Sequence, residues 1–147
     1  MTGDRYDYEM RAEWIEGKQV KLVVEGQHDL EVSTPSEFGG PKGFLSPEDL
    51  FVASACTCYL TTFFAVAEGA KLSYKDIICR ARGTIEKSEG SGFRFTQVNL
   101  YPELAITGDE EEEWAERVLE MSKKNCLVIN SINAEVNLHP KITVKKD

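Results

Sequence analysis

Apolar and polar positions alternate through the first third of the chain. Residues 8–15, 19–25 and 29–33 read as three strands, with Glu16-Gly17-Lys18 and Gly26-Gln27 as turns of an antiparallel meander. Residues 34–45 carry Pro35, Gly39-Gly40-Pro41 and Gly43 and read as a loop. Ser46-Pro47-Glu48-Asp49 then opens a helix. Ser46 suits the N-cap, Pro47 the first helical position, and the two acids the positive end of the dipole. From there to Ala67 the residues are apolar or small on every face, which predicts a buried central helix ended by Gly69. A membrane span fits less well, because the stretch carries Ser54, Thr57, Thr61 and Thr62 and lacks flanking basic anchors.

Two longer alternating runs follow at 77–87 and 93–106, joined by Ser88-Glu89-Gly90-Ser91-Gly92 as a hairpin. Pro102 inside the second run predicts an edge position or a bulge. The acidic run from Asp109 reads as the solvated start of a second helix, not as a metal site. On that helix Ala115, Leu119, Ser122 and Cys126 follow at spacings of four, three and four, so Cys126 falls on the core-facing stripe. Residues 134–144 alternate again as one last strand. The order βββ-α-ββ-α-β predicts a single α+β domain over residues 1–147.

Composition narrows the chemistry. A chain of 147 residues with 41% hydrophobic and 29% charged residues has ordinary globular make-up. Its formal net charge of -8, with no local basic patch, speaks against nucleic acid as a partner. The opening residues carry no apolar signal core, so the expected location is the cytoplasm. In a reducing cytosol each of Cys56, Cys58, Cys79 and Cys126 has a small buried apolar residue as its plain reading. No zinc-binding spacing occurs, and His28 and His139 lie far from every cysteine along the chain, so no metal is expected. Cys56 and Cys58 project about 200° apart on a helix, so at most one of them belongs to a given site. Packing of the two helices could bring either one within disulfide reach of Cys126.

Residues Ser46-Pro47-Glu48-Asp49-Leu50-Phe51-Val52-Ala53-Ser54-Ala55-Cys56-Thr57-Cys58-Tyr59 resemble the P-E-x-L-F-x-A-x-x-x-x-C-F signature of the OsmC/Ohr family of osmotically inducible and organic hydroperoxide resistance proteins. Thr34-Pro35-Ser36-Glu37-Phe38-Gly39-Gly40 resembles the loop before that helix. Lys123-Lys124-Asn125-Cys126-Leu127-Val128 resembles the second cysteine motif, in which proline usually follows the cysteine. The resemblance implies an intertwined homodimer built around the buried helices. It also implies thiol-dependent reduction of organic hydroperoxides without a bound cofactor, and an external dithiol, such as one of lipoyl type, as reductant. On it Cys58 is the peroxidatic thiol and Cys126 the resolving one. Cys56 is an off-site core residue, and Cys79 is structural.

The family's glutamate, which holds an activating arginine, corresponds to Glu48. The arginine's position falls near the first turn, where this chain reads Glu16-Gly17-Lys18, leaving Lys18 or Arg11 as the candidate cation. Phe51, Tyr59, Phe63 and Phe64 are candidates for lining an apolar substrate pocket. On one straight helix Glu48 and Cys58 lie about 15 Å apart and roughly 80° out of phase. If Glu48 serves Cys58 as the resemblance implies, either the helix breaks between them or, the favoured expectation, the glutamate comes from a second subunit. The plain alternative is a carboxylate that only decorates the helix start. Two rivals stand beside the peroxidase: a dimer of the same fold that senses redox state or binds apolar ligands with little turnover, and a structural dimer with inert thiols.

Overall fold

The computed structural model describes residues 3–146; Met1 and Thr2, part of the opening read as lacking a signal core, lie outside them. Contacts divide the chain into two compact units, Met1–Phe51 and Val52–Asp147.

In the first unit, β1 (Arg11–Glu16), β2 (Gln19–Val23) and β3 (Leu30–Ser33) form the expected meander, each strand antiparallel to the next. The first strand starts three residues later than its alternation implied, leaving Tyr8 and Met10 exposed outside the sheet. A β-carbon on Gly40 would collide with the carbonyl of Thr34, so only glycine lets the loop close against β3. Ser46 caps the next helix as the sequence implied. Its Oγ accepts from the Asp49 amide at 3.1 Å, and Asp49 Oδ2 accepts from the Ser46 amide at 2.9 Å.

Helix α1 (Pro47–Ala70) is unbroken and passes straight through Gly69. The stop comes two residues later, where Lys71 takes a positive φ of 56°. Its amide donates to Glu68 O at 3.1 Å and the Leu72 amide to Ala67 O at 2.9 Å, a Schellman closure built without glycine. Trp114 Nε1 donates to Ala70 O at 3.1 Å and satisfies one of the carbonyls freed at that end. By length and composition α1 is apolar enough to cross a membrane. Within this one chain it buries a single face, Ala55, Tyr59, Phe63 and Ala67, repeating every four residues. Burial on all sides does not occur in the isolated chain: Phe64 on another face is 46% exposed.

In the second unit, β4 (Tyr74–Lys87) and β5 (Phe93–Ile106) make the long hairpin. The single last strand of the sequence reading is two: β6 (Glu135–Leu138) and β7 (Lys141–Val144), both parallel to β5. His139-Pro140 separates them, because proline lacks the N–H that would continue the ladder. The order is therefore βββ-α-ββ-α-ββ. Pro102 is neither at an edge nor in a bulge. It lies in β5, the middle strand, opposite Cys79 and between the stretches that pair with β6 and with β7, where no parallel neighbour needs its missing N–H.

A short 3-10 turn at Asp109–Glu111 precedes α2 (Glu112–Lys124). Ala115, Val118, Leu119 and Ser122 of α2 are buried, as are Val98, Leu100, Pro102, Leu104 and Ile106 of β5. Tyr59 and Phe63 from α1 join this core. Gly83 on β4 admits the closest approach of α1: a β-carbon there would stand 2.5 Å from Val52 Cγ2.

Candidate active site

The middle of α1 projects Cys58 toward the turn that follows α2. Cys126 lies just beyond that helix, not on it: α2 ends at Lys124, and the Cys126 amide closes the turn by donating to Lys123 O at 3.2 Å. The same turn is braced throughout. Asn130 N donates to Cys126 O at 3.0 Å, Asn130 Nδ2 to Lys124 O at 3.0 Å and Ser131 Oγ to Leu127 O at 2.8 Å. This bracing aims successive backbone N–H groups of Leu127, Val128 and Ile129 at the two sulfurs. Oriented N–H groups of this kind favour the ionised form of a nearby sulfur.

The Cys58 and Cys126 side chains lie close enough that each bears on the ionisation of the other, and the pair is asymmetric. Burial pushes the Cys58 thiol up. The Val128 amide, the Cys126 thiol, the Thr62 hydroxyl and the Leu127 amide outweigh it and hold Cys58 below the ordinary thiol range. Thr62 Oγ1 lies 3.9 Å from the Cys58 sulfur. Cys126 is fully buried and shifts the other way. Burial raises it and Cys58 beside it raises it further, while the amides of Ile129 and Val128 pull in the opposite sense. Ionisation of the pair is therefore easier at Cys58 than at Cys126.

The other candidates sort as follows. Cys56, two residues from Cys58, points to β4, where its Sγ donates to Cys79 O at 3.2 Å. Tyr59 and Phe63 have no exposed surface. They belong to the core, not to a pocket wall, because the i, i+4 face that carries them is the face packed inside the chain. Tyr59 Oη donates to Leu119 O at 2.9 Å, and Phe63 meets Tyr74 edge to face. Phe51 is half-buried and Phe64 exposed. In the first unit, Arg11 is exposed and its Nε contacts Glu13 Oε2 at 2.6 Å, while Lys18 Nζ lies against Gly39. Glu48 Oε1 is buried and, among the described residues, has no hydrogen-bond partner. No group of three or more metal-binding side chains occurs among the described residues. The sequence reading missed Thr62 and the amides of residues 127–129. Backbone N–H groups are common to all residues but proline, and only the geometry of a turn makes a site of them.

Comparison with known proteins gives one family and a consistent set of structures. A model of the OsmC-like protein family matches residues 39–141. The chain is 22% identical to the uncharacterized protein YmaD of Bacillus subtilis, over 95% of each chain. The OsmC-like protein VCA0330 of Vibrio cholerae, of unknown function, superposes with a TM-score of 0.84 at 17% identity, over 92% of this chain and 99% of that one. A Legionella pneumophila protein described as an organic hydroperoxide resistance protein OsmC superposes with a TM-score of 0.75 at 25% identity, over 95% of this chain and 100% of that one.

Proposed function

The chain belongs to the OsmC-like protein family, and from that premise we propose that it is a cysteine-based peroxidase reducing organic hydroperoxides to alcohols. One observation carries the reading: Cys58 and Cys126 come together at the turn after α2, with ionisation favoured at Cys58 and opposed at Cys126. A thiolate beside a protonated thiol is the starting arrangement for two-step peroxide reduction.

In the first step the Cys58 thiolate attacks the terminal peroxide oxygen. The O–O bond breaks, Cys58 becomes a sulfenic acid, and the alkoxide takes up a proton and leaves as the alcohol. In the second step the Cys126 sulfur attacks Cys58 Sγ, its proton leaves with the displaced hydroxide as water, and a disulfide forms. An external dithiol then reduces that disulfide by exchange and leaves as its own disulfide. The amides of Leu127 and Val128 supply the electrostatic stabilisation of the thiolate, a role an oriented N–H fills without a proton transfer.

The working form is a homodimer. A 24-residue apolar helix with one face packed inside its own chain offers its remaining surface to a second copy. The unpartnered Glu48 Oε1 fits a donor supplied on dimerisation, and Glu48 would then act on the other chain's site. Arg11, engaged by Glu13, favours a second reading in which the same dimer senses peroxide with slow turnover.

The test is consumption of cumene hydroperoxide and of hydrogen peroxide, with a dihydrolipoyl-type dithiol compared against monothiols. Cys58→Ser abolishes turnover, and Cys126→Ser accumulates the sulfenic acid. Fast oxidation with little turnover selects the sensor. A peroxide-induced bridge that maps to Cys56 instead of Cys58, or no oxidation of Cys58 at all, defeats both readings. For the shared site, mixed dimers of Glu48→Gln with Cys58→Ser chains regain activity above both parents if Glu48 acts across the interface.

A further inference from the structure

The peroxidase reading uses two of the four cysteines. The other two meet elsewhere. Cys56 leaves α1 on the side nearly opposite Cys58, and Cys79 leaves β4 on the face that packs against α1. The pairing of Cys79 with the buried Pro102 fixes that face. One helical turn earlier, Val52 rests on Gly83, four residues further along β4, so helix and strand run past each other in opposite directions. Cys56 Sγ donates to the Cys79 carbonyl at 3.2 Å and Cys79 Sγ to Arg80 O at 3.6 Å, and the two thiols lie near enough for Cys56 to bear on the ionisation of Cys79. Both residues are half-buried.

We propose that Cys56 and Cys79 form a second redox site: a dithiol that closes to a disulfide tying α1 to β4 by exchange with small-molecule disulfides, apart from the Cys58–Cys126 pair. With the Cys56 sulfur already 3.2 Å from the Cys79 carbonyl, the two sulfurs reach bonding distance by side-chain rotation, because both Cα positions are held by packed elements. Direct exchange between the two pairs is blocked by geometry, since Cys56 and Cys58 project about 200° apart on one rigid helix.

The order of steps follows from the surroundings. Burial and the neighbouring Cys56 push the Cys79 thiol up to about 12. Cys56 therefore attacks first: its thiolate displaces one thiolate from the incoming disulfide and forms a mixed disulfide. Cys79 then gives up its proton and attacks the Cys56 sulfur, releasing the second thiolate. The protein loses two hydrogens, and the small disulfide becomes two thiols. The closed bond anchors to the sheet the helix that carries Cys58.

The test uses the full chain with Cys58→Ser and Cys126→Ser, which removes the proposed peroxidase chemistry. Its outcome is therefore separate from that of the function above. The protein is equilibrated with oxidised and reduced glutathione, quenched with acid and peptide-mapped. The expected product is a Cys56–Cys79 linked peptide pair, with a rise in Tm of roughly 5–10 °C that dithiothreitol reverses. Adding Cys79→Ser stops the reaction at a glutathione mixed disulfide on Cys56. If the two cysteines instead stay free, carry glutathione separately or link different chains, the proposal is wrong. The same mapping on the wild-type chain serves if the double variant does not fold.

Discussion

Replacing Val128 with proline deletes one N–H from the turn beside Cys58. Val128 sits at φ -64° and ψ -45°, and proline fixes φ near -65°, so its own backbone already has the required shape. Its amide is the strongest of the groups that hold Cys58 below the ordinary thiol range, and it bears on Cys126 as well. A hydrogen bond to a charged group is worth about 1.5–3 kcal/mol, and a factor of ten in ionisation costs about 1.4 kcal/mol. Val128→Pro should therefore cut the thiolate fraction of Cys58 near neutral pH by roughly tenfold to a hundredfold.

The assay is the rate of Cys58 alkylation by iodoacetamide as a function of pH, in a Cys56→Ser/Cys79→Ser background, alongside the ultraviolet absorbance of the thiolate. Val128→Ala keeps the N–H and should titrate like the parent. Circular dichroism and Tm check that the turn survives, since proline also restricts Leu127 before it. A folded Val128→Pro protein that titrates like Val128→Ala would refute the amide account of Cys58.

Tyr59→Phe removes the hydroxyl that donates to Leu119 O, and should cost about 0.5–1.5 kcal/mol, read as a drop in Tm of roughly 2–4 °C. Gly83→Ala sets a β-carbon 2.5 Å from Val52 Cγ2 and 2.8 Å from Phe95 Cε1; it should destabilise by about 1–3 kcal/mol, and Val52→Ala in the same chain should recover part of the loss in denaturant melts. The fully reduced chain should lose stability as pH rises above 9. There the unfolded Cys79 gives up its proton while the folded one, at about 12, keeps it. The unfolded state then binds fewer protons, and stability falls by up to about 1.4 kcal/mol per pH unit from this group, with Tyr59 and Cys126 shifted in the same sense. Cys58 moves the other way, its stabilisation being complete above 9 and lost as pH falls through its lowered folded value. A Tm that stays flat from pH 9 to 11 contradicts these assignments.

The kinds of element were legible because burial imposes its period on the residues. The Ala115, Leu119, Ser122 stripe of α2 is visible in the letters, whereas α1, apolar on every face, shows that it is a helix but not which face packs inside the chain. Endings were less legible. Gly69 carries the usual stop signal, yet the helix runs on to Ala70 and is closed by Lys71, which bears the strain of a positive φ, with Leu72 buried in the closure. His139-Pro140 continues the alternation and so hid the break between β6 and β7. The site was least legible. That Cys56 meets Cys79 depends on how α1 lies along β4, and that Leu127 and Val128 serve Cys58 depends on how a turn folds. Neither leaves a mark in one sequence.

The turn that activates Cys58 is made late. Synthesis delivers α1 first, then the β4–β5 hairpin, and only afterwards α2 and the residues at 126–129. Until the chain comes back to lay β6 and β7 along β5, Cys58 has no amides near it and keeps the modest reactivity of an unassisted thiol. On the peroxidase reading proposed above, a growing chain is thereby spared premature oxidation, and reactivity toward peroxide comes only with the completion of folding.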